Sequence, residues 1–343
     1  MAREERSFVR KRKRGCLTGC LTRILLLLGV LALLLVGACV LGFVSIDGET
    51  GAPSLSLESV GLDGIDLSGL SLPNIDLPAI SLSGISLPDI ALPGWAYGVK
   101  KDGLTVKTLR AGEGEAVLVC CDGYTMLLGG GDNGLLTAAQ MLLCGVNRLS
   151  VTVAMGSEDA QIAGLPLAVK LGKPAYLLYP ATQTKTANVN ALLTAAQGVE
   201  GLQLIAPQQG LTFSLGRSTV TVVGPARTPH TDERDDGLSV RIDYGNTSVL
   251  VMGTVTAVGE NDLAMSQAKL GADAIICARG GSGEATGAYL VEAVKPSIAL
   301  LTGKDPSGEV IARLEHAGAT VYTAKEYGVM TLTSDGTSVS VEP

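Results

Sequence analysis

The sequence predicts an α/β domain in which two β-sheets pack inside flanking helices, and two observations carry this prediction. From about Tyr97 onward, β-branched runs such as LTVKTL, AVLVCC and TSVLVMG alternate with Ala- and Leu-rich helical segments such as LLTAAQMLLCG and VNALLTAAQ. Hairpin-like pairs of strands come first, and strands separated by helices follow. This order is typical of two sheets covered by helices. A chain of 343 residues can hold one or two domains with a substantial core.

A membrane anchor is predicted ahead of this domain. Residues 1–23 form a basic tail with eight Lys/Arg against two Glu, and the run from Ile24 to Val44 that follows contains no charge. At 1.5 Å per residue, a helix of this length spans about 30 Å, the thickness of a bilayer core. Because the basic flank comes first and the next flank is acidic, we expect a cytosolic N-terminus and an extracellular C-terminal domain. The segment is therefore interpreted as a single-pass signal anchor in the cell membrane.

Two other interpretations of the N-terminal segment stay open. A cleaved signal peptide is one, although its apolar core usually has only about 7 to 15 residues. Lipidation is the other, because Leu35 to Cys39 (LVGAC) has the form of a lipobox. Against lipidation, residues 40–44 continue the apolar run where lipoproteins usually turn polar.

Residues 45–98 form a low-complexity spacer. Within it, residues 56–95 contain eight pentads with Leu second and an apolar residue fifth, which is Trp95 in the last pentad. The phase I-D-L-S-G resembles pentapeptide-repeat proteins. However, several prolines remove backbone donors, and eight pentads would give only about two coils of such a solenoid. We favour an extended spacer, stiffened by proline, that holds the next domain away from the membrane.

The last segment, residues 99–343, resembles a known family. Its sequence blocks occur in the family's order, namely LTVKTLRAGEGEAVLV, DGYTMLLGGGDNG, RLSVTVAMGSEDAQIAGLP, DDGLSVRIDYGNTSVLVMGT, GADAIICARGGSGEATGAYLVEAVKPSIALLTG and IARLEHAGATVYTAKEYGVMTLTSDG. They are similar to the soluble metallo-β-lactamase-fold domain of the bacterial ComEC-type competence proteins and their free-standing secreted relatives. The resemblance implies a four-layer αββα sandwich and a two-metal hydrolase site.

The metal-ligand motifs of that family are degenerate in this sequence. The family's T-H-x-[HD]-x-D-H-I-G-G falls on Met155 to Gly164, its bridging T-G-D on residues 252–254, and its H-H-G-S on residues 279–282. The resemblance thus assigns these degenerate site positions: Gly156, Glu158, Ala160, Gln161, Thr254, Arg279 and Ser282. Zinc sites need about three or four N, S or O ligands, and only Glu158 is still a candidate ligand.

These positions predict an inactive module without catalytic residues or cofactor. The alternative is a phosphodiesterase- or nuclease-type hydrolase that holds a divalent cation, Mg²⁺ or Ca²⁺, with carboxylates alone. Its candidate ligands are Glu158, Asp132, Glu113 and Glu115. As a module, the protein would bind an extracytoplasmic ligand or protein that the sequence does not identify. Residues 99–343 carry 18 Lys/Arg against 24 Asp/Glu, and such an acidic domain does not favour nucleic acid as a partner.

The two histidines and the cysteines give no alternative metal centre. His230 lies in the acidic run PHTDERDDG, interpreted as a solvated loop, with a hard-cation site as the alternative. His316 lies near a helix end, where it favours the helix dipole. Cys120 and Cys121 are adjacent in a strand and must point to opposite faces, while Cys144 and Cys277 are interpreted as buried apolar residues; none has paired metal spacing.

Three local features of the sequence bear on other chemistries. Ser157 is expected to cap a helix whose first turn contains Glu158 and Asp159, with cation binding by this stretch as the alternative. A dinucleotide site is not expected at residues 112–114, because a strand rather than a helix follows them. The run Gly280 to Glu284 lacks the last glycine of a G-x-S-x-G elbow and a neighbouring His, which argues against a serine hydrolase.

Overall fold

A computed structural model describes residues 44–46, 53–55, 102–112, 114–180 and 186–342. The chain divides into two units, Met1–Ser86 and Leu87–Pro343. In the first unit, strands β1 (Val44–Ile46) and β2 (Pro53–Leu55) pair antiparallel. The predicted anchor up to residue 43 and the pentads of residues 56–95 lie outside the described residues. Within the described part of the chain, no helix combines the length and the apolar character needed to cross a bilayer.

The second unit contains an eight-stranded sheet with the strand order β17-β16-β3-β4-β5-β6-β7-β8. The strands from β5 to β8 run parallel to one another, whereas the remaining pairs in this sheet, including β4 with β5, are antiparallel. The strands are β3 (Leu104–Ala111), β4 (Gly114–Cys121), β5 (Tyr124–Leu128), β6 (Val151–Val153), β7 (Tyr176–Leu178), β8 (Gln203–Ile205), β16 (Thr331–Ser334) and β17 (Val339–Glu342).

A second sheet has seven strands in the order β15-β14-β13-β12-β11-β10-β9. It too begins with antiparallel hairpins and continues with parallel strands, from β12 to β15. The strands are β9 (Thr212–Leu215), β10 (Ser218–Gly224), β11 (Ser239–Tyr244), β12 (Thr247–Val251), β13 (Ala274–Ile276), β14 (Ile298–Leu301) and β15 (Thr320–Thr323).

Helices connect the parallel strands, and polar side chains cap several of them. Asn133 and Thr186, for example, each accept a hydrogen bond from a backbone N–H three residues later, which satisfies a donor that the helix leaves free. The described helices are α1 (Gly134–Leu143), α2 (Asp159–Ile162), α3 (Leu165–Gly172), α4 (Ala187–Gln197), α5 (Ala257–Met265), α6 (Ala288–Val294), α7 (Gly308–His316) and α8 (Ala324–Tyr327), with 3-10 turns at Glu233–Asp236 and Ala278–Gly281.

The buried side chains form three apolar layers, which define a four-layer αββα sandwich. The central layer lies between the sheets and joins residues such as Val119 and Val240. The second joins the other face of the first sheet to α1, α3 and α4, for example through Leu118 and Leu165. The third joins the second sheet to α5, α6 and α7. Central strands such as β4 and β12 contribute to two layers because successive side chains point to opposite faces. The prediction of two sheets inside helices is confirmed.

The cysteines follow the same alternation. Cys121 belongs to the central layer and Cys120 to the layer beneath the helices, as their adjacency in β4 predicts. Cys144 and Cys277 are buried as well. Burial raises the pKa of the Cys277 thiol to about 12, so this side chain is an uncharged apolar group in the core.

Candidate functional site

The loops that follow β6, β12 and β13 meet at one rim of the sandwich. Leu238 donates a backbone hydrogen bond of 2.7 Å to the carbonyl of Met155, which joins the second sheet to the loop after β6. Arg279 donates one of 2.9 Å to the carbonyl of Gly253, which joins the loops after β12 and β13. The rim therefore collects the segments on which the degenerate site positions lie.

Arg279 and Glu158 form an ion pair at this rim. Nη1 of the arginine lies 3.1 Å from Oε2 of the glutamate, and the two side chains are 22% and 36% exposed. Arg279 belongs to the 3-10 turn Ala278–Gly281 and has a left-handed backbone with φ of 52°. A non-glycine residue in this region costs free energy, and the surrounding contacts hold it there. Two positions of the resemblance, one on each sheet's loops, are thus in direct contact.

The ion pair continues into a wider arginine–carboxylate network, which we define as Glu158, Arg279, Glu284, Arg234 and Asp232. Oε2 of Glu284 lies 2.8 Å from Nη1 of Arg234 and 3.5 Å from Nε of Arg279. Arg234 also pairs with Asp232 at 2.5 Å. Hydrogen bonds from Arg234 lower the pKa of the Asp232 carboxyl. Cations and carboxylates therefore alternate along the network, whose three carboxylates and two arginines leave one negative charge.

Gly156 and Thr254 are also in contact. A methyl group on Gly156 would lie 2.7 Å from Cγ2 and 2.9 Å from Oγ1 of Thr254. The threonine is buried, and its hydroxyl donates a hydrogen bond of 2.8 Å to the carbonyl of Arg234. The space that a side chain at Gly156 would occupy is therefore filled by Thr254.

Glu115 on β4 and Gln161 on α2 are buried beside this network's loops. The hydroxyl of Thr302 donates to Oε1 of Glu115 across 3.4 Å. Burial raises the pKa of Glu115 to about 8, against the opposing effect of hydrogen bonds from Thr302 and Gln161. At neutral pH this side chain is therefore mainly an uncharged acid. Helix α2 packs closely here, since a methyl group on Gly114 would lie 1.5 Å from the carbonyl oxygen of Ala160.

Several buried polar atoms on these rim residues lack a hydrogen-bond partner among the described residues. They are Oε2 of Glu115, Oε1 of Gln161, Nε of Arg279 and Oγ of Ser282. Only Thr152 and Thr286 contribute further atoms of this kind in the described chain. Because buried polar groups are normally paired, this rim has spare donors and acceptors that a ligand or water would satisfy.

The residues at the rim do not fit a two-metal centre. In the described part of the chain, no group of three or more His, Cys, Asp or Glu is arranged to hold a metal ion. Glu158 is engaged by Arg279, whose guanidinium has no lone pair and repels cations. Gly156 and Ala160 have no donor side chain. No step of a metal-dependent reaction is therefore assigned to this site.

The described candidate carboxylates of the alternative hydrolase site do not come together. Glu113 lies outside the described residues. The side chain of Asp132 lies over Gly112, where a methyl group would be 1.5 Å from Oδ1. Glu158 pairs with an arginine, and the raised pKa of Glu115 disfavours its ionised form at neutral pH. These carboxylates do not form a common cluster within the described residues.

The expectation that His230 lies in a solvated acidic loop is wrong. Its side chain is only 2% exposed, with Nδ1 at 2.7 Å from Asp236 and Nε2 at 3.0 Å from Asp262. The segment folds back so that one carboxylate from the 3-10 turn and one from α5 meet the two ring nitrogens. This pairing explains how a polar ring is buried. Both nitrogens are engaged, so the ring is not free to bind a cation.

The expected helix cap at Ser157 is also wrong. Helix α2 begins at Asp159, its N-cap residue is Glu158, and no side chain makes a capping hydrogen bond there. Glu158 instead turns toward Arg279, and Asp159 accepts a hydrogen bond of 2.8 Å from Asn188. His316 lies in the last turn of α7, as expected.

Sequence reasoning missed Arg234, Glu284 and Asp232. The available signal was Arg234 itself, the one cation within the acidic run TDERDD. An isolated arginine among four carboxylates predicts local pairing, and one of its partners, Asp232, lies two residues away. Glu284, 50 residues further along the chain, has no comparable signal.

Comparison with known proteins found only solved structures of low sequence identity. The sequence matches no family model and no curated protein. Among solved structures, the metallo-β-lactamase fold protein YhfI from Bacillus subtilis is 14% identical with a TM-score of 0.44, over 66% of this chain and 98% of that one. Tm1679, a metal-dependent hydrolase of the β-lactamase superfamily, is 9% identical with a TM-score of 0.45, over 64% and 95%. Rm3 metallo-β-lactamase is 15% identical with a TM-score of 0.37, over 53% and 80%.

The described domain has a four-layer αββα architecture, with two mixed sheets face to face and helices outside both. The metallo-β-lactamase fold and the relation to ComEC-type proteins stay predictions from the sequence blocks.

Proposed function

We propose that the protein is a membrane-anchored extracytoplasmic module whose metallo-β-lactamase-type domain binds or scaffolds rather than hydrolyses. The observation that carries this proposal is the 3.1 Å contact between Arg279 and Glu158. It places a permanently charged guanidinium against the one remaining candidate metal ligand. A metallohydrolase needs bound cations to lower the pKa of a water molecule, and an arginine at this point opposes their binding.

The unpaired donors of the rim indicate the class of ligand. Oγ of Ser282 is buried without a hydrogen-bond partner among the described residues, and Nε of Arg279 makes no hydrogen bond there and lies 3.5 Å from Oε2 of Glu284. Both atoms are hydrogen-bond donors, and a guanidinium is well suited to oxyanions. The module would therefore recognise a carboxylate- or phosphate-bearing ligand.

Metal analysis of the purified full chain tests the loss of the metal centre. We expect substoichiometric zinc, manganese and iron, and no change in melting temperature when a chelator is added. A metal bound to the folded state would stabilise it by mass action, so its removal would lower the melting temperature. About two metal ions per chain, held through dialysis, would contradict the proposal.

The anchoring part of the proposal rests on the basic tail before Ile24 to Val44. A protease added outside intact cells should remove the chain beyond about residue 46, because the rule for basic flanks leaves that part outside. Cells opened with detergent provide the control for protease access. Protection of the C-terminal domain in intact cells, with cleavage after opening, would contradict the orientation.

A ComEC-like hydrolase with a carboxylate site is the second candidate. The observation that favours it is the pair of unpartnered acceptors, Oε2 of Glu115 and Oε1 of Gln161, because hard cations accept oxygen ligands. Magnesium-dependent cleavage of a simple phosphodiester such as bis-p-nitrophenyl phosphate, abolished by Glu115→Gln, would establish it. A background rate of cleavage in both the parent chain and Glu115→Gln would exclude the hydrolase.

A further inference from the structure

Helix α1 (Gly134–Leu143) has an outer face made of apolar side chains. Leu135, Leu136, Leu142 and Leu143 are between 46% and 60% exposed. Ala139, between them, is exposed as well. The opposite face packs onto the domain through Thr137, Ala138 and Met141, which are buried. We call Leu135, Leu136, Ala139, Leu142 and Leu143 the leucine stripe.

The leucine stripe is unusual for a surface helix. Its members lie within about 60° of the direction of Ala139 around the helix axis. The helix contains no charged residue. Gln140, at the edge of the stripe, is occupied by hydrogen bonds to the backbone of Arg110. Contiguous exposed apolar patches of a few hundred Å² commonly mark interaction sites.

The order of residues in the stripe is symmetric about Ala139. Leu135 and Leu143 lie four residues on either side of it, and Leu136 and Leu142 lie three residues on either side. In an antiparallel pair of identical helices with the twofold axis at Ala139, Leu135 faces Leu142 and Leu136 faces Leu143 of the second copy. A small residue at the crossing point allows the helices to approach closely. This is the self-complementarity that a twofold interface requires.

The charges around the helix agree with an antiparallel pair. Asp132 precedes the helix and Arg148 follows it, and both are exposed. Reversal of the second copy brings the acidic end of one helix toward the basic end of the other. The helix dipoles are then also opposed, which is favourable.

A membrane surface is less suited to this stripe. Helices that lie on membranes usually have Lys or Arg along the polar face, and α1 has neither. Residues 99–343 carry more Asp and Glu than Lys and Arg, so anionic lipid headgroups would repel the domain.

We infer that the leucine stripe of α1 is a homodimer interface, in which two copies of the chain pair their α1 helices antiparallel across Ala139. The inference is independent of the function proposed for the rim. The stripe supplies a few hundred Å² per copy, below the roughly 800 Å² per partner of a stable interface. The dimer should therefore be reversible and grow with protein concentration.

Sedimentation of the detergent-solubilised full chain over a range of concentrations tests the inference. We expect a monomer–dimer equilibrium that Leu142→Glu weakens roughly tenfold or more, because each buried carboxylate would face apolar side chains. Val258→Glu is the matched control, since Val258 is an apolar helix residue of similar exposure, 57%, outside the stripe. It should leave the equilibrium unchanged. An unaltered circular dichroism spectrum for both variants shows that the fold is retained.

Chemical cross-linking locates the contact. Ala139→Cys should be joined to itself in the second copy by a short bis-maleimide, and Thr194→Cys, on the exposed face of α4, should not exceed the unsubstituted chain. A monomer at all concentrations would overturn the inference. A dimer that Leu142→Glu does not weaken would overturn it too. So would a variant that loses binding to anionic phospholipid vesicles while dimerisation is unchanged, because the stripe would then be a membrane contact.

Discussion

Arg279 and Glu158 are separated by 121 residues, yet Nη1 of the arginine lies 3.1 Å from Oε2 of the glutamate. The glutamate belongs to the loop after β6 in one sheet, and the arginine to the turn after β13 in the other. The pair therefore bridges the two halves of the sandwich at its rim. In the ComEC resemblance, both positions belong to metal-ligand motifs, and here a cation of the protein itself pairs with the carboxylate.

Removing the arginine should lower the stability of the domain modestly. Arg279→Met leaves Glu158 and Glu284 without their shared cation, and we expect a loss of about 1 kcal/mol, since both side chains are partly exposed. Urea denaturation measures this loss. Combination with Glu158→Gln should reveal a coupling of about 0.5 to 1 kcal/mol. Lys269→Met, which breaks a surface pair with Asp243, is the control and should cost less. Strict additivity would show that the pair contributes nothing.

Glu115 should make stability fall as pH rises. Its pKa is raised from 4.5 to about 8 in the folded chain, so the folded state keeps a proton that the unfolded state releases between these values. Stability should therefore decline across this interval by up to about 1.4 kcal/mol per pH unit and level off above about pH 8. Glu115→Gln, which mimics the protonated acid, should flatten the decline.

A second buried glutamate makes the pH experiment more specific. The pKa of Glu260 is raised by burial to about 7. Its contribution to the fall in stability therefore has the same sign but ends at a lower pH than that of Glu115. Urea midpoints measured from pH 5 to pH 9 should thus show that Glu260→Gln affects only the part below about pH 7. A decline between about pH 7 and 8 that persists in Glu115→Gln would contradict the assignment to Glu115.

The contact between Gly156 and Thr254 should make the effects of substitution non-additive. Gly156→Ala places a methyl group 2.7 Å from Cγ2 of the threonine and should cost about 1 to 3 kcal/mol. Thr254→Ala alone loses the hydrogen bond to Arg234 and should cost about 1 kcal/mol. Because Thr254→Ala removes both clashing atoms, the double variant should be more stable than the sum predicts. A double variant whose loss of stability equals or exceeds the sum of the two single losses would show that the two residues are not in contact.

One substitution at the rim should not create a metal site, whereas several together should. Gly156→His alone would clash with Thr254, and the other ligands would still be absent. This variant should therefore bind no zinc tightly. Six changes restore the family pattern: Gly156→His, Glu158→Asp, Ala160→Asp, Gln161→His, Thr254→Asp and Arg279→His. This variant should gain zinc or manganese and show a metal-dependent rise in melting temperature.

The variant that keeps Arg279 and contains the other five changes is the control. Its guanidinium should still oppose cations, so it should bind metal more weakly than the sixfold variant. Metal content after dialysis and melting curves with and without metal measure the difference. A folded sixfold variant with no more affinity than the parent would show that the ligand positions assigned by the resemblance do not converge.

The sequence by itself determined the order of the elements and the layering of the domain. Continuous apolar runs such as AVLVCC predict strands with two buried faces, and the helical segments between later strands predict the covering layers, because both patterns depend on neighbouring residues. The absence of histidine from residues 155–164, 252–254 and 279–282 is likewise a property of the sequence alone.

The tertiary structure decided which side chains meet. The pairing of Arg279 with Glu158, the filling of the space beside Gly156 by Thr254, and the burial of His230 between Asp236 and Asp262 join residues of different elements. Such contacts depend on how two sheets are stacked, and no local periodicity encodes that distance. For His230 the local pattern was misleading. An acidic run predicts a solvated loop, whereas in the folded chain two carboxylates pair with the ring and allow it to be buried.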